Sequence, residues 1–319
     1  MIARKAHFIW LGPVLPDLAW LAIRSAIANG GFDSVTLWTA DPALAATGKV
    51  AALVARHGVT VVGFANCPEL GKEGHVARRL DQLMALVRQP AAKADLWRLR
   101  VIWAVGGVYL DSDAIVLRDF GPLLVNAAFV GKEHVCLPAS LYRSGTPLKW
   151  AKAVALLALR HSLTLRRGAG KRFGHVARLF DQSCNNAVFG AQANSACVMQ
   201  LLQRAAALPD SQALQLYELG PRLWEAQTAN QSSAACTVLP PQAFYPLGPE
   251  ICADYVAVDR RGSLGVTPDA GAFAAHLYDS VLTRRLGHPI TAQWLLAHQS
   301  DTLLGRMVQP WIAELVAIG

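Results

Sequence analysis

Charge is scarce in this chain: Asp, Glu, Lys and Arg make up 16% of its 319 residues, while apolar side chains make up 53%. That balance excludes extensive disorder and leaves ample material for a large buried core. Cysteine patterning is missing too. The six cysteines, at 67, 136, 184, 197, 236 and 252, form no C-x-x-C pair and no metal-finger spacing. A disulfide framework is not expected at this size, so a reducing, cytoplasmic setting is. Long apolar runs are absent as well. His7 to Leu11 near the start is too short for a signal-peptide core, and nothing approaches the roughly eighteen residues of a spanning helix. Acid is the scarcer charge, with 22 Asp+Glu against 30 Lys+Arg. The excess favours an anionic partner; a nucleotide sugar, a lipid head group and a nucleic acid all have that sign. No repeat, low-complexity tract or linker divides the chain, which is expected to form one domain over 1–319 with 291–319 as a helical extension packed on it.

What the chain does have is alternation. Phe8-Ile9-Trp10-Leu11 reads as a strand broken by Gly12-Pro13, and a helix follows from about Asp17, an N-cap candidate, to Asn29. Val35 to Trp38 and Val59 to Phe64 read as strands flanking an Ala-rich helix over 43–57. This order predicts an α/β fold with a mainly parallel sheet, and ligands beyond the carboxyl ends of its strands. Trp10, Asp41 and the Asp111/Asp113 pair fall at such ends and should converge. Helices are expected over 75–88, 149–161 and 193–207, and as a final pair over about 291–305 and 308–318. Asn185 to Ala191 reads as a strand, and the remainder as short strands and turns.

The most informative stretch is 95–119, D-L-W-R-L-R-V-I-W-A-V-G-G-V-Y-L-D-S-D-A-I-V-L-R-D. A buried helix ends at Gly106-Gly107, and the short strand Val108-Tyr109-Leu110 then delivers Asp111 and Asp113. Acidic residues two apart on an extended chain point to the same side, roughly 7 Å apart at Cα. Two carboxylates so placed suit a single divalent cation, or one takes the cation and the other a hydroxyl.

Four blocks resemble the DxD-containing glycosyltransferases of the GT-A fold, family 32 in particular, whose relatives include the glucosylating domains of clostridial toxins. They are H-F-I-W-L-G at 7–12; A-D-L-W-R at 94–98 with G-G-V-Y-L-D-S-D at 106–113; N-A-V-F at 186–189; and G-P-R-L at 220–223 followed by F-Y-P-L at 244–247. The resemblance implies a GT-A (Rossmann-like, nucleotide-sugar-binding) fold with a mixed, mainly parallel sheet and added C-terminal helices. It also implies Mn²⁺- or Mg²⁺-dependent transfer of a hexose from a UDP-sugar, with retention, to a polysaccharide, glycolipid or protein acceptor.

By the same resemblance Asp113 binds the cation, and Asp111 reaches the ribose, or the metal through water. Asp95 holds sugar hydroxyls and Arg98 the sugar or diphosphate; Asn186, with Asn185 as fallback, makes a further contact. The expected catalytic set is Asp95, Arg98 and Asn186. The donor is expected to lie against Trp10, Leu11, Gly12, Asp95, Arg98, Gly107, Asp111, Ser112 and Asp113, with Trp10 stacking on the uracil. The family's Ser-Trp near its last strand is missing here; the stretch is His276-Leu-Tyr-Asp279-Ser280-Val281. His276 is the expected third metal ligand beside Asp111 and Asp113, with Asp279 and Ser280 competing.

Blander alternatives stand beside each reading. Trp10 could be core, Asp95 and Arg98 an ordinary i,i+3 ion pair, and His276 a satisfied core histidine. Residues Arg160 to Arg178, with six Arg/Lys, no acid and three glycines, read as a solvated loop, a glycine-hinged lid or a surface for an anionic acceptor. Peripheral contact with the inner face of an anionic membrane is compatible with the charge. Among rival functions, a haloacid-type phosphatase expects its D-x-D early in the chain and gives Asp95/Arg98 no task. A lapsed, non-catalytic nucleotide-sugar binder is kept open by the missing Ser-Trp. Nucleic-acid binding is disfavoured, because the basic residues are not set among aromatics on a recognisable module.

Overall fold

The first apolar run becomes the middle of the sheet. In the computed structural model, which describes residues 1–68, 74–137, 141, 146–164, 169–215, 217–229, 236–249, 251–259 and 271–319, it forms β1 (Lys5–Trp10). Parallel to it run β2 (Ser34–Thr39) on one side and β4 (Gly107–Leu110) on the other, with β3 (Thr60–Gly63) beyond β2. The sheet continues through β7 (Asp181–Ala191) and β6 (Ala128–Val135) to β8 (Thr237–Leu239), giving the order β3-β2-β1-β4-β7-β6-β8. Among the described residues β7 alone runs against its neighbours, so the sheet is mixed but mainly parallel. A two-stranded ribbon of β5 (Ala114–Val116) and β9 (Ala274–His276) stands beside it.

Helices cover both faces, as an α/β alternation requires. One core layer holds Phe8 and Leu110 with side chains of α1 (Asp17–Asn29) and α2 (Gly48–His57). The other holds Ile9 and Tyr109 with α3 (Gly74–Leu86) and α4 (Pro90–Val105). Further along lie α5 (Pro147–Thr164), α6 (Ala169–Val176), α7 (Ala196–Ala207), α8 (Pro221–Thr228) and α9 (Asp279–Leu286). The last two, α10 (Ala292–Ala297) and α11 (Leu303–Ile318), send Leu295, Leu304, Val308, Ile312 and Leu315 into the first layer. No described helix is long and apolar enough to cross a membrane. No disulfide joins any two of the six cysteines.

Several expectations change. Asp17 does not cap α1; Pro16 stands at that position, and Asp17 instead accepts from the Ala292 amide and pairs with Lys49. The helix expected over 43–57 is divided, because the Asp41 carboxylate caps a short 3₁₀ turn over 42–46 before α2 starts at Gly48. At the C-terminus the break falls at 298–302, where Thr302 caps α11, and Pro310 sits inside that helix. The stretch after 220, read as strands and turns, contains α8 and α9. The basic run holds helix where a loop was expected: α6 buries Ala169 and Phe173, and the Gly170 amide donates to Asp254. Its residues 165–168, with Arg166 and Arg167, lie outside the described ones.

Candidate active site

Two glycines aim the site. The helix α4 stops at Gly106 (φ +64), and Gly107 (φ +110) swings the chain into β4; both lie where L side chains are strained. A Cβ on Gly107 would stand 2.7 Å from the Lys5 carbonyl oxygen and 2.9 Å from His7 Nε2. Gly107 therefore serves the turn. It begins β4, at the end opposite Asp111.

Beyond the other end of β4 a polar cluster assembles. Tyr109 and Asp111 point the same way, and the Tyr109 hydroxyl donates to Asp111 Oδ1 at 2.5 Å. Arg98 lies 3.2 Å from that oxygen, 3.4 Å from Asp95 Oδ1, and over the Tyr109 ring at 4.5 Å. Its Nη1 donates to the Asn186 carbonyl at 2.8 Å, while Asn186 Nδ2 donates to Asp95 Oδ1 at 2.7 Å. Four of the expected residues, Asp95, Arg98, Asp111 and Asn186, thus form one connected network across α4, β4 and β7. Asn185, the fallback, spends its side-chain oxygen on the Ala187 amide.

The antiparallel ribbon then brings in His276, the candidate third ligand. Its register sets Ala114 opposite His276, and His276 Nε2 comes to 3.1 Å from Asp113 Oδ1 and 3.8 Å from Asp111 Oδ2. The remaining oxygens are engaged elsewhere, Asp111 Oδ1 by Tyr109 and Asp113 Oδ2 by the Asp279 amide at 2.8 Å. One free ligand atom from each residue is left, all within 4.8 Å of one another. Two carboxylate oxygens and an imidazole nitrogen suit Mn²⁺ or Mg²⁺. Asp279 engages the pair through its amide, and its own carboxylate accepts from Thr283 at 3.2 Å.

Electrostatics follow from burial and these pairs. Desolvation raises Asp95 and Asp111 above the usual carboxylate range, against the pull of Arg98. Desolvation also acts on Asp113, but His276 outweighs it and the net shift is downward. Burial disfavours a charged His276, yet Asp113, Asp111 and Glu133 raise it to about 8. Without a cation the imidazole carries the positive charge that the two acids call for.

Sequence reasoning overlooked four groups, Tyr109 among them. Glu133 on β6 is half-buried, its acidity weakened by desolvation, and it accepts from the Tyr278 hydroxyl at 2.7 Å. The Tyr278 ring stands edge-on to His276 at 4.2 Å, on a residue with φ +57. Gly220 lies so close to Asp95 and Asn186 that a Cβ would be 2.8–2.9 Å from both side chains. The G-P-R-L block pointed at Gly220; Tyr109 could have been found by its i,i+2 spacing from Asp111. Nothing in the local sequence marks Glu133.

The remaining expectations are placed more loosely. Trp10 ends β1, next to β4, and so leaves the sheet at the same end as Asp111. Its Nε1 donates to the Val14 carbonyl at 2.9 Å, and Gly12 passes against the ring. Leu11 packs on the second core layer, and Ser112 lies in the turn between the two acids. Asp41 caps its turn and takes no part in the network described above.

The fold and the site resemble those of DXD-type glycosyltransferases. Residues 34–130, which hold Asp95, Arg98, Asp111 and Asp113, match the family described as the glycosyltransferase sugar-binding region containing a DXD motif. No curated protein matches the chain. Among solved structures, the chain is similar to PaToxG glycosyltransferase at 16% identity over 72% of this chain and 69% of that one, with a TM-score of 0.47. The UDP-bound glycosyltransferase domain from the YGT toxin is 12% identical over 74% and 79%, with a TM-score of 0.42. The glycosyltransferase GlyE of Streptococcus pneumoniae TIGR4 is 11% identical over 98% and 64%, with a TM-score of 0.43.

Proposed function

We propose that the protein is a metal-dependent, retaining hexosyltransferase that takes its sugar from a UDP-linked donor. The observation that carries this reading is the set of three converging ligand atoms on Asp111, Asp113 and His276, with Asp111 and Asp113 each held by a second partner. A divalent cation bound there supplies positive charge to the donor's diphosphate as the sugar departs.

The chain's own residues would do the rest. Asp95, fixed by Asn186 and Arg98, accepts from hydroxyls of the donor sugar and sets its orientation. Arg98, whose positive charge is secured by Asp111 and Asp95 despite burial, faces the developing negative charge. Trp10 offers a ring at the strand end for the uracil. No side chain of the network is positioned as a general base. In a retaining displacement the acceptor hydroxyl attacks on the face that the diphosphate leaves, and the departing oxygen takes its proton. A phosphatase would need Asp111 as a free nucleophile, whereas its Oδ1 is bonded to Tyr109 and paired with Arg98. We propose a polysaccharide or glycolipid acceptor, and a cytoplasmic setting in keeping with cysteines that form no disulfide with one another.

A screen of UDP-hexoses with Mn²⁺, read as released UDP, tests the proposal. Release with at least one donor, abolished by chelation and by Asp113→Ala in a variant that remains folded by circular dichroism, is the expected result. Near-normal turnover in that variant would remove the metal assignment.

A further inference from the structure

Between Glu133 and Asp181 the chain contains no acidic residue, yet it carries nine of the thirty Lys and Arg. The rest, with twenty-one basic against twenty-two acidic side chains, is close to neutral. The positive charge of the protein is therefore the charge of one insertion, the segment joining β6 to β7. Arg143, Arg166 and Arg167 lie outside the described residues.

The helix α5 in this insertion is apolar on two sides. Ala153, Leu156 and Leu163 face the core. On the outward side Leu148, Ala151, Val154, Ala155 and Ala158 follow one another at helical spacing, all exposed, Leu148 by 80% and Val154 by 60%. Trp150, 40% exposed, borders the stripe, with Lys149 and Lys152 on the same turns. On α6, Arg172 is exposed next to the buried Phe173. An outward apolar stripe with lysines on the same turns, of which Lys152 is paired with Asp181 and Lys149 has no ion-pair partner among the described residues, has the composition of a surface helix lying in a lipid interface.

We infer that α5 and α6 dock the protein on an anionic bilayer, Leu148 and Val154 entering the acyl boundary and Lys149 and Arg172 meeting the phosphates. A nucleic acid or other polyanion would use the charge but leave the apolar stripe in water. A second copy would set like charge against like charge. The location has a functional sense: β6 is parallel to β4, so the insertion leaves the sheet at the end where Asp111 emerges. Its root at Val135 is two residues from Glu133, which holds Tyr278 beside His276. Docking here would bring the donor site to a membrane-borne acceptor. That consequence rests on the glycosyltransferase reading; the docking itself does not.

Sedimentation of the full chain with vesicles tests it. Equal parts of phosphatidylcholine and phosphatidylglycerol should carry the protein down, and phosphatidylcholine alone should not. The pair Leu148→Asp with Val154→Asp, and separately Lys149→Glu with Arg172→Glu, should each weaken binding by about tenfold or more. Neither pair should change UDP release in vesicle-free buffer, which keeps the failure of docking distinguishable from the failure of the catalytic reading. No sedimentation with anionic vesicles would overturn the inference. So would binding that the charge pair abolishes and the apolar pair leaves intact, which would mark a polyanion surface. Light scattering showing a dimer that Leu148→Asp with Val154→Asp dissolves would overturn it in favour of a second copy.

Discussion

Asp95 is the residue on which the network turns, because it has no strong conformation of its own. It stands on a helix, half-buried and made less acidic by desolvation, and is aimed by Asn186 Nδ2 and Arg98. Asn186→Ala removes the aiming bond and leaves Asp95 free to close on Arg98. The expected outcome is a fall in kcat/KM of about tenfold to a hundredfold, or roughly 1.4–2.7 kcal/mol, with the fold retained. Steady-state UDP release on the purified variant measures it. A second prediction concerns Tyr278. Its hydroxyl bond to Glu133 holds the ring edge against His276, so Tyr278→Phe should loosen the imidazole and lower Mn²⁺ affinity by about ten- to a hundredfold. Titration calorimetry on both proteins decides it; unchanged affinity would mean that the ribbon alone fixes His276. Such partners are hard to read from a sequence. Asp111 and Asp113 declare themselves by spacing along one strand, while Glu133 and Tyr278 meet only because β6 and the end of β9 fold against each other.

Elements were legible where local chemistry decided them. Strands β1 to β4 and helices α1 and α4 follow from apolar runs punctuated by glycine and proline. The boundaries that moved were set by single polar side chains, Asp41 capping its turn and Thr302 capping α11. The double glycine after α4 was legible as a stop but not as a docking point for His7. That ring is buried, donates from Nε2 to the Gly106 carbonyl at 2.9 Å, and accepts at Nδ1 from Trp38 at 3.1 Å, which fixes one neutral tautomer. Desolvation lowers it from 6.5 to about 4. Because the folded state binds this proton less readily than the unfolded chain, the contribution is complete above pH 6.5 and is lost as pH falls toward 4. The amount is on the order of 3 kcal/mol. Urea midpoints measured across that window should fall in the wild type and flatten in His7→Gln, after allowance for its lower starting stability. Gly107→Ala belongs to the same turn. It forces a Cβ into φ +110 against the Lys5 carbonyl and His7, and should cost about 1–3 kcal/mol in strain before any clash is counted.

At the scale of the molecule, the alternation of strand and helix announced a mainly parallel sheet, and the sheet has that form apart from β7. The reversal of β7 could not be read locally, because a buried strand has the same composition whichever way it runs. Yet the site depends on it: antiparallel pairing with β4 sets Asn186 beside Asp95, and β9 must return from the far end of the sequence to supply His276. The candidate donor site therefore ties α4, β4, β7 and β9 together, segments that separate on unfolding. A ligand bound across them and not by the unfolded chain must stabilise the whole fold. At about a hundred times its dissociation constant, UDP with Mn²⁺ should add about 2.7 kcal/mol. For a chain of this size that raises Tm by several degrees. Thermal unfolding followed with UDP and Mn²⁺, with UDP and chelator, and with Asp113→Ala in both mixtures measures the coupling. The shift should appear only in the wild type with metal present. An equal shift with chelator would mean that UDP is held without the three ligands, and the site would have to be sought elsewhere on the sheet's edge.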